Sequence, residues 1–475
     1  MKTKPRPSDL VKGSREQFAE GYLRLLATAF ESGVRTIALP TSPPFNTDQR
    51  RRFLSACHRG YAVAQAELVE SIKCLQTATG LSRTVKDYRE LILRKVMDAV
   101  AFVMLQGEDH ALRRLSYLEA PQAIDLRVLE ATFDEATRLN AESRLTFALI
   151  TDLTTSIQVA DILRVDFRGT APSLQLIELK SGAVNSLLLA EIDKYEPTPE
   201  GLERFRRETA LRSGYSRQAD RMLRQRLRLA QALEGIHSSS FVDVKTQLPA
   251  DYVEVNEPAA TYDEDLDRLC TRAVAEGRAS ASLERCVHLG VGSGATYGEA
   301  HRNALEAAEF AFYNAVHAGW PGYNEAATEL VALVPASDLF QVNYLFEANA
   351  RSTGTRPFPL WAIERSHLQA WLCGRLVTLA VFDLVGFFAA ARQAGVDIGL
   401  TSRRCFEELA AKHGKHSVPS FGGRAIELST ARGKTIMLGG MYARFICSLV
   451  APISFLRLVN QYDAQGLTDF APARS

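Results

Sequence analysis

Apolar positions near the start of the chain repeat with the spacing of helices. Over residues 16–32, Phe18, Tyr22, Leu25, Leu26 and Phe30 form one face, and Gly33 follows as a stop. A proline-bearing stretch at 39–44 reads as a loop. A long helix is expected from near Thr47, where Asp48 sets negative charge in the first turn, and a third over 86–105. His110, Arg113 and Arg114 come after the break at Gly107, and they either contact phosphate or end a helix with cations.

From residue 125 the period changes. Leu126, Leu129, Phe133, Ala136 and Leu139 continue a helix to residue 142, and the short apolar run at 145–150 suits a strand. Residues 159–182 read as two more strands joined by a turn. Period-two alternation sends Asp161 on the first strand, and Glu178 and Lys180 on the second, to one face. A long helix over 199–235 follows, and a strand at 241–244 or 252–255 closes the sheet. This order makes a compact α/β unit.

Beyond residue 258 an acidic piece at 263–267 leads into a helix-rich region punctuated by glycine. Strands are expected at 284–290 and 330–335, helices at 298–317, 364–394 and 402–413. The apolar stretches 371–391 and 437–459 approach membrane character. The first carries Arg375 and Asp383 and the second Arg444 and Pro452, so both are expected as buried core helices. The chain therefore divides into a helical N-terminal region (1–120), an α/β region (121–257) and a mixed C-terminal region (258–475).

Composition changes this picture little. With 475 residues, 46% hydrophobic and 23% charged, the chain is expected to be a soluble globular protein of several domains. A net charge of +1 gives no whole-protein attraction for polyanions, so any nucleic-acid binding has to come from local clusters of Arg and Lys. The seven cysteines are scattered and form no metal-ligand spacing, which points to buried thiols in a reducing cytoplasm. The basic start of the chain lacks the apolar run of a secretory signal and reads as a short disordered arm.

Charge set into an apolar strand is either solvated or functional. Two carboxylates on adjacent strands can hold a divalent cation that polarises a phosphate and acidifies water, and a nearby Lys can stabilise developing negative charge or position the water. Asp161 and Glu178 are the candidate metal ligands, the Leu179 carbonyl a third, and Lys180 the catalytic cation. An acidic residue on one strand, followed by the triplet Glu178-Leu179-Lys180 after apolar Leu174, Leu176 and Ile177, resembles the PD-(D/E)xK nuclease superfamily. Ala160 stands where that family usually has proline. A half-exposed strand carrying a surface Glu and Lys is the structural alternative.

The resemblance covers residues 125–255 and implies an α/β fold with a restriction-endonuclease-like mixed-sheet core between the helical and mixed flanks. It implies Mg²⁺ or Mn²⁺ as cofactor and hydrolysis of nucleic-acid phosphodiester bonds, DNA ahead of RNA, in a setting such as restriction or anti-phage defence. Self-association or a protein partner accords with the family habit, and no membrane is involved. Many members add a carboxylate from the helix before the first core strand, for which Glu130, Glu135 and Glu142 are the candidates here.

The helix after the sheet carries a stripe of Arg217, Arg221, Arg224 and Arg228, able to track a phosphate backbone or simply to be solvated. By the same resemblance, Gln218 or Gln225 stands near the metal. The loop at 290–298, with Gly290, Gly292 and Ala295, fits a dinucleotide-binding turn loosely, but no acidic strand end follows at the needed distance. Arg432-Gly433-Lys434-Thr435 lacks the upstream glycine of a phosphate loop, and His413 and His416 form a basic loop lacking a partnered carboxylate or Cys. A nuclease is thus the expected function. The alternatives are a catalytically inactive nucleic-acid-binding or scaffold protein and a nucleotide-responsive sensor built on the 290–298 loop.

Overall fold

The computed structural model describes residues 13–36, 47–107, 109–116, 123–169, 172–179, 194–209, 216–238, 240–242, 249–251, 260–413, 418–430, 433–437, 439–454 and 456–457. The expected N-terminal arm, the loop at 39–44, the strand at 252–255 and His416 lie outside them. The described residues form two compact units: one lies between 24 and 250, the other joins 13–23 to the residues from 251 onward. The boundary falls within helix α1 (Arg15–Thr36), which continues through Gly33 rather than stopping there.

In the first unit, α2 (Thr47–Thr77) and α3 (Arg83–Met104) are the long helices of the N-terminal region. Helix α3 starts earlier than its apolar period suggests, because the Ser82 hydroxyl accepts the Val85 N–H and caps it. The short α4 (Asp109–Arg114) follows, and its Arg113 and Arg114 fall in the last turn, where cations suit the dipole. Helix α5 (Leu126–Asn140), capped by Asp125, leads into β1 (Thr146–Ile150), β2 (Ile162–Asp166) and β3 (Ser173–Ile177).

These strands make one antiparallel sheet in the order β1-β2-β3, with Ile162 paired to Ile150 on one side and Ile177 on the other. The outer edge of β1 is closed by side chains. The Asn140 amide donates to Ala148 O at 3.0 Å and accepts its N–H at 2.7 Å, while Gln65 of α2 accepts the Ile150 N–H at 2.9 Å. With its edge groups satisfied, β1 takes no further strand. The later β4 (Ser240–Val242) pairs instead with β5 (Pro249–Asp251). The expected mixed sheet is therefore corrected, among the described residues, to a purely antiparallel three-stranded one.

The single helix expected over 199–235 is also corrected. It is two helices, α6 (Pro199–Thr209) and α7 (Ser216–His237), which bury Leu202 and Phe205 of the one against Met222 and Leu223 of the other. Their mutual packing is tertiary, which a one-dimensional apolar period cannot register.

The second unit holds α8 (Asp263–Glu276), β6 (Arg278–Leu283), β7 (Val287–Ser293), α9 (Tyr297–His317), α10 (Tyr323–Val331) and β8 (Phe340–Tyr344). These are followed by α11 (Leu345–Arg351), α12 (Arg365–Cys373), β9 (Leu376–Asp383), α13 (Leu384–Gln393), β10 (Asp397–Leu400), α14 (Arg403–His413), β11 (Ile426–Thr430), β12 (Gly433–Ile436) and α15 (Gly439–Cys447). The sheet order is β6-β7-β9-β8, with a second sheet β10-β11-β12, and all these pairs are antiparallel. His288 of β7 is wholly buried, Nδ1 lying 3.0 Å from Ser282 Oγ and Nε2 3.3 Å from the Asp383 carboxylate, which also takes the Tyr323 hydroxyl at 3.0 Å.

Two expectations fail here and a third is shifted along the chain. The helix expected over 364–394 is broken at Gly374 (φ 74°), after which β9 runs as a strand buried along its whole length between β7 and β8. A strand covered on both faces reads as an unbroken apolar run, which periodicity cannot tell from a buried helix. The strand expected at 330–335 is instead the last residues of α10, whose buried Tyr323, Ala326 and Leu330 have helical spacing, and the turn that follows it. That expected at 284–290 starts later, because Glu284 and Arg285 take positive φ and form the β6–β7 turn. Among the described residues no helix is long and apolar enough to cross a membrane.

Candidate functional site

Asp161 and Glu178 do not sit within the strands that carry them in the sequence reading. Asp161 immediately precedes β2 and Glu178 immediately follows β3, at neighbouring ends of paired strands. The Asp161 N–H donates to Ile177 O at 3.1 Å, and the Leu179 N–H donates to Asp161 Oδ2 at 2.5 Å. The residues that carry the two carboxylates are thus held side by side by one backbone hydrogen bond and by the Asp161 carboxylate's bond to Leu179. Lys180 lies outside the described residues.

Glu178 opens on a pocket of about 30 Å³ lined by Gln158, Val159, Glu178, Gln225 and Arg228. A volume of that order admits about two waters. Gln158 and Val159 come from the β1–β2 connection. Gln225 and Arg228 come from α7, three residues apart and so on neighbouring positions of one helix face. Of the residues named from sequence, the fold brings Glu178, Gln225 and Arg228 together, with Asp161 tied in beside them.

The rest of the arginine stripe divides. Arg224 is paired with Asp220, which also holds Arg206 at 2.8 Å, so its charge is compensated within the α6–α7 pair. Arg221 is exposed. The side chains of Arg217 and Gln218 lie outside the described residues. The three helix carboxylates are engaged with cations: Glu130 with Lys73 at 3.1 Å, Glu135 with Arg138 at 2.7 Å, and Glu142 with Arg138 at 3.2 Å and Arg164 at 2.8 Å. Asp166 is bound by Arg168 at 2.5 Å.

Sequence reasoning passed over Asp152, which follows β1. Burial holds its carboxyl above the usual range, Arg94 opposes that shift, and the charges of Asp161 and Asp125 add to it. A carboxylate two residues past the end of a fully buried strand was its only signal. It also passed over Arg94, Lys95 and Asp98 of α3, all buried. Their signal was that Ile92, Leu93, Val96, Met97, Ala99 and Val100 surround the helix and leave charges no solvent face.

Donor chemistry allows a divalent ion beside Asp161 and Glu178. Mg²⁺ is commonly held by only one or two carboxylates together with waters and substrate oxygens. With Oδ2 engaged by Leu179, Asp161 has Oδ1 to offer. Among the described residues no group of three or more His, Cys, Asp or Glu gathers closely enough to hold a metal by itself.

The glycine loop of the second unit has a packing role. A Cβ on Gly292 would lie 2.1 Å from Ala300 O, and one on Gly290 2.4 Å from Ala304 O, so both glycines let β7 approach the alanine face of α9. The N-terminus of α9 is already closed. Thr296 Oγ1 accepts the Glu299 N–H at 3.3 Å, an N-cap, and Glu299 Oε2 accepts the Ala295 N–H at 2.8 Å, so side chains stand in the place where a phosphate would bind. Lys434 is a strand residue paired with Glu427 at 2.6 Å. Compared with known proteins, the chain matches no family model, and no curated protein or solved structure gives a significant match.

Proposed function

We propose that the chain is a divalent-metal-dependent nuclease whose centre lies at the pocket beside Asp161 and Glu178. The observation that carries this reading is that Glu178 shares the pocket with Gln225 and Arg228. A carboxylate, an amide and a guanidinium then converge where Asp161 is fastened. The order α5, β1, β2, β3, then helices α6 and α7, also follows the helix and strand before a hairpin, and the helix after it, that the PD-(D/E)xK resemblance expects, which supports a restriction-endonuclease-like core despite its antiparallel sheet.

In this reading Asp161 and Glu178, with the Leu179 carbonyl, hold Mg²⁺ or Mn²⁺. The ion when bound neutralises charge at the scissile phosphate and makes water more acidic. Arg228 binds a non-bridging phosphate oxygen and stabilises the added charge of the transition state. Gln225 orients the attacking water or the phosphate, Lys180 supplies a further cation, and Arg221 draws in the backbone beyond the pocket.

The test is incubation with single- and double-stranded DNA and RNA in Mg²⁺, Mn²⁺ or EDTA, beside Glu178→Ala and Lys180→Ala. Metal-dependent cutting abolished by Glu178→Ala is expected. Cutting that survives both substitutions overturns the site, and binding without cutting under every condition favours the catalytically inactive alternative.

A further inference from the structure

The β1–β2 connection carries Asp161 at its end and contributes Gln158 and Val159 to the pocket. Beside its buried Leu153, Ile157 and Val159, it is fastened from behind by charge. The Lys95 and Asp98 side chains, one turn apart on α3, are 0% exposed, and they pair at 2.9 Å. Asp98 Oδ1 accepts the N–H groups of Thr155 at 2.8 Å and Ser156 at 3.1 Å, and Lys95 donates to Thr155 Oγ1 at 2.8 Å. The Thr155 hydroxyl in turn donates to Asp98 Oδ2. Arg94 donates through Nε to Thr154 O at 3.0 Å.

Three consecutive residues of the connection are therefore held by a buried ionic cluster. From there the chain is tied onward: the Ile157 N–H donates to Thr154 Oγ1 at 3.0 Å, the Gln158 N–H to Leu115 O at 2.8 Å, and the Thr151 N–H to Asp161 O at 3.0 Å. Buried ion pairs contribute little to stability compared with apolar side chains of similar volume. What they supply is direction, because each hydrogen bond fixes one donor against one acceptor.

Building on the nuclease reading, we propose that Arg94, Lys95 and Asp98 are positioning residues: they set the pocket wall at Gln158 and Val159, and Asp161 just after it, at the distance from Glu178 that a divalent cation requires. They touch neither cation nor substrate. Cation affinity therefore depends on them, while nucleic-acid binding through Arg221 and Arg228 does not.

The experiment uses the full chain and the double variant Lys95→Met with Asp98→Leu, which removes both charges at similar volume. Mn²⁺ binding is measured by calorimetry without nucleic acid, hydrogen exchange at the amides of 154–161 by mass spectrometry, and cleavage separately. The expected result is a folded variant with faster exchange in that segment and Mn²⁺ affinity lowered about 10- to 100-fold, the range for residues that orient metal ligands. Its affinity for nucleic acid in EDTA should match that of wild type. If the double variant does not fold, Thr155→Val, which keeps the Lys95–Asp98 pair, decides by the same two readouts. A variant that folds and binds Mn²⁺ as tightly as an active wild type overturns the positioning role alone. A wild-type chain that neither binds Mn²⁺ nor cuts overturns the nuclease reading and this inference with it.

Discussion

The carboxylate of Asp161 accepts the backbone N–H of Leu179 at 2.5 Å, which fastens the residue ahead of β2 to the residue behind Glu178. Charge and geometry at this point can be separated by substitution. Asp161→Asn keeps an oxygen for Leu179 but loses the charge, so cleavage should fall on the order of 10²- to 10³-fold, the size of one lost preorganised electrostatic contact. Stability should change by less than about 1 kcal/mol. Asp161→Ala should lose the activity and, in addition, about 0.5–1.5 kcal/mol of stability with the hydrogen bond. Cleavage rates beside urea midpoints check both, and an Asn variant of wild-type activity would remove Asp161 from the site.

Arg228 and Arg224 lie one turn apart on α7 and have different surroundings, one in the pocket and one paired with Asp220. Arg228→Gln should weaken nucleic-acid binding and lower the slope of log affinity against log salt by about one. Arg224→Gln should leave the slope nearly unchanged. Anisotropy titrations across a salt series measure both, and equal effects would show that the stripe acts as an undivided basic surface.

Gly292 and Gly298 make a second contrasting pair. A methyl on Gly292 meets Ala300 O at 2.1 Å, whereas one on Gly298, inside α9, meets nothing within 4 Å. Gly292→Ala should therefore destabilise the second unit by about 1–3 kcal/mol through overpacking. Gly298→Ala should stabilise by about 0.5–1 kcal/mol, since alanine loses less entropy in a helix. Denaturant unfolding reads both signs. Nucleotide-dependent melting that disappears in Gly298→Ala but persists in other α9 surface variants would restore the sensor alternative.

His58 of α2 gives the first unit an acid-sensitive contact. Its Nε2 lies 3.0 Å from Thr146 O, and burial, helped by the charge of Arg144, holds its pKa below the usual 6.5 despite that hydrogen bond. The unfolded chain takes up the proton at about 6.5, the folded chain only at lower pH. Between those points the unfolded state binds more protons, so stability falls as pH drops through about 6.5 and levels off below the folded value. Thermal unfolding from about pH 8 to about pH 5 should show this slope. His58→Gln should flatten it, and an unchanged slope would assign the acid sensitivity elsewhere.

Much of the secondary structure could be read from spacing. The helices at 15–36, 83–104, 126–140, 297–317 and 403–413 bury one apolar stripe or carry a cap, and both are local patterns. The strands at 146–150, 162–166 and 173–177 are short apolar runs bounded by polar turns. Among the readings that failed were those of β9, buried on both faces, and of α6 and α7, which pack against each other as separate helices.

The candidate site follows the same division. The expectation that Asp161, Glu178 and Arg228 act on a polyanion through a bound metal rests on residue type and spacing, and that for Gln225 on the family resemblance, so both come from the chain order alone. That Glu178, Gln225 and Arg228 line one pocket while Arg224 is taken by Asp220 required the fold, because α7 meets the strand ends only through tertiary packing. The same holds for Asp98 and Lys95. On the sequence they are ordinary helix charges, and only their removal from water behind the β1–β2 connection makes their hydrogen bonds strong and directional enough to hold it.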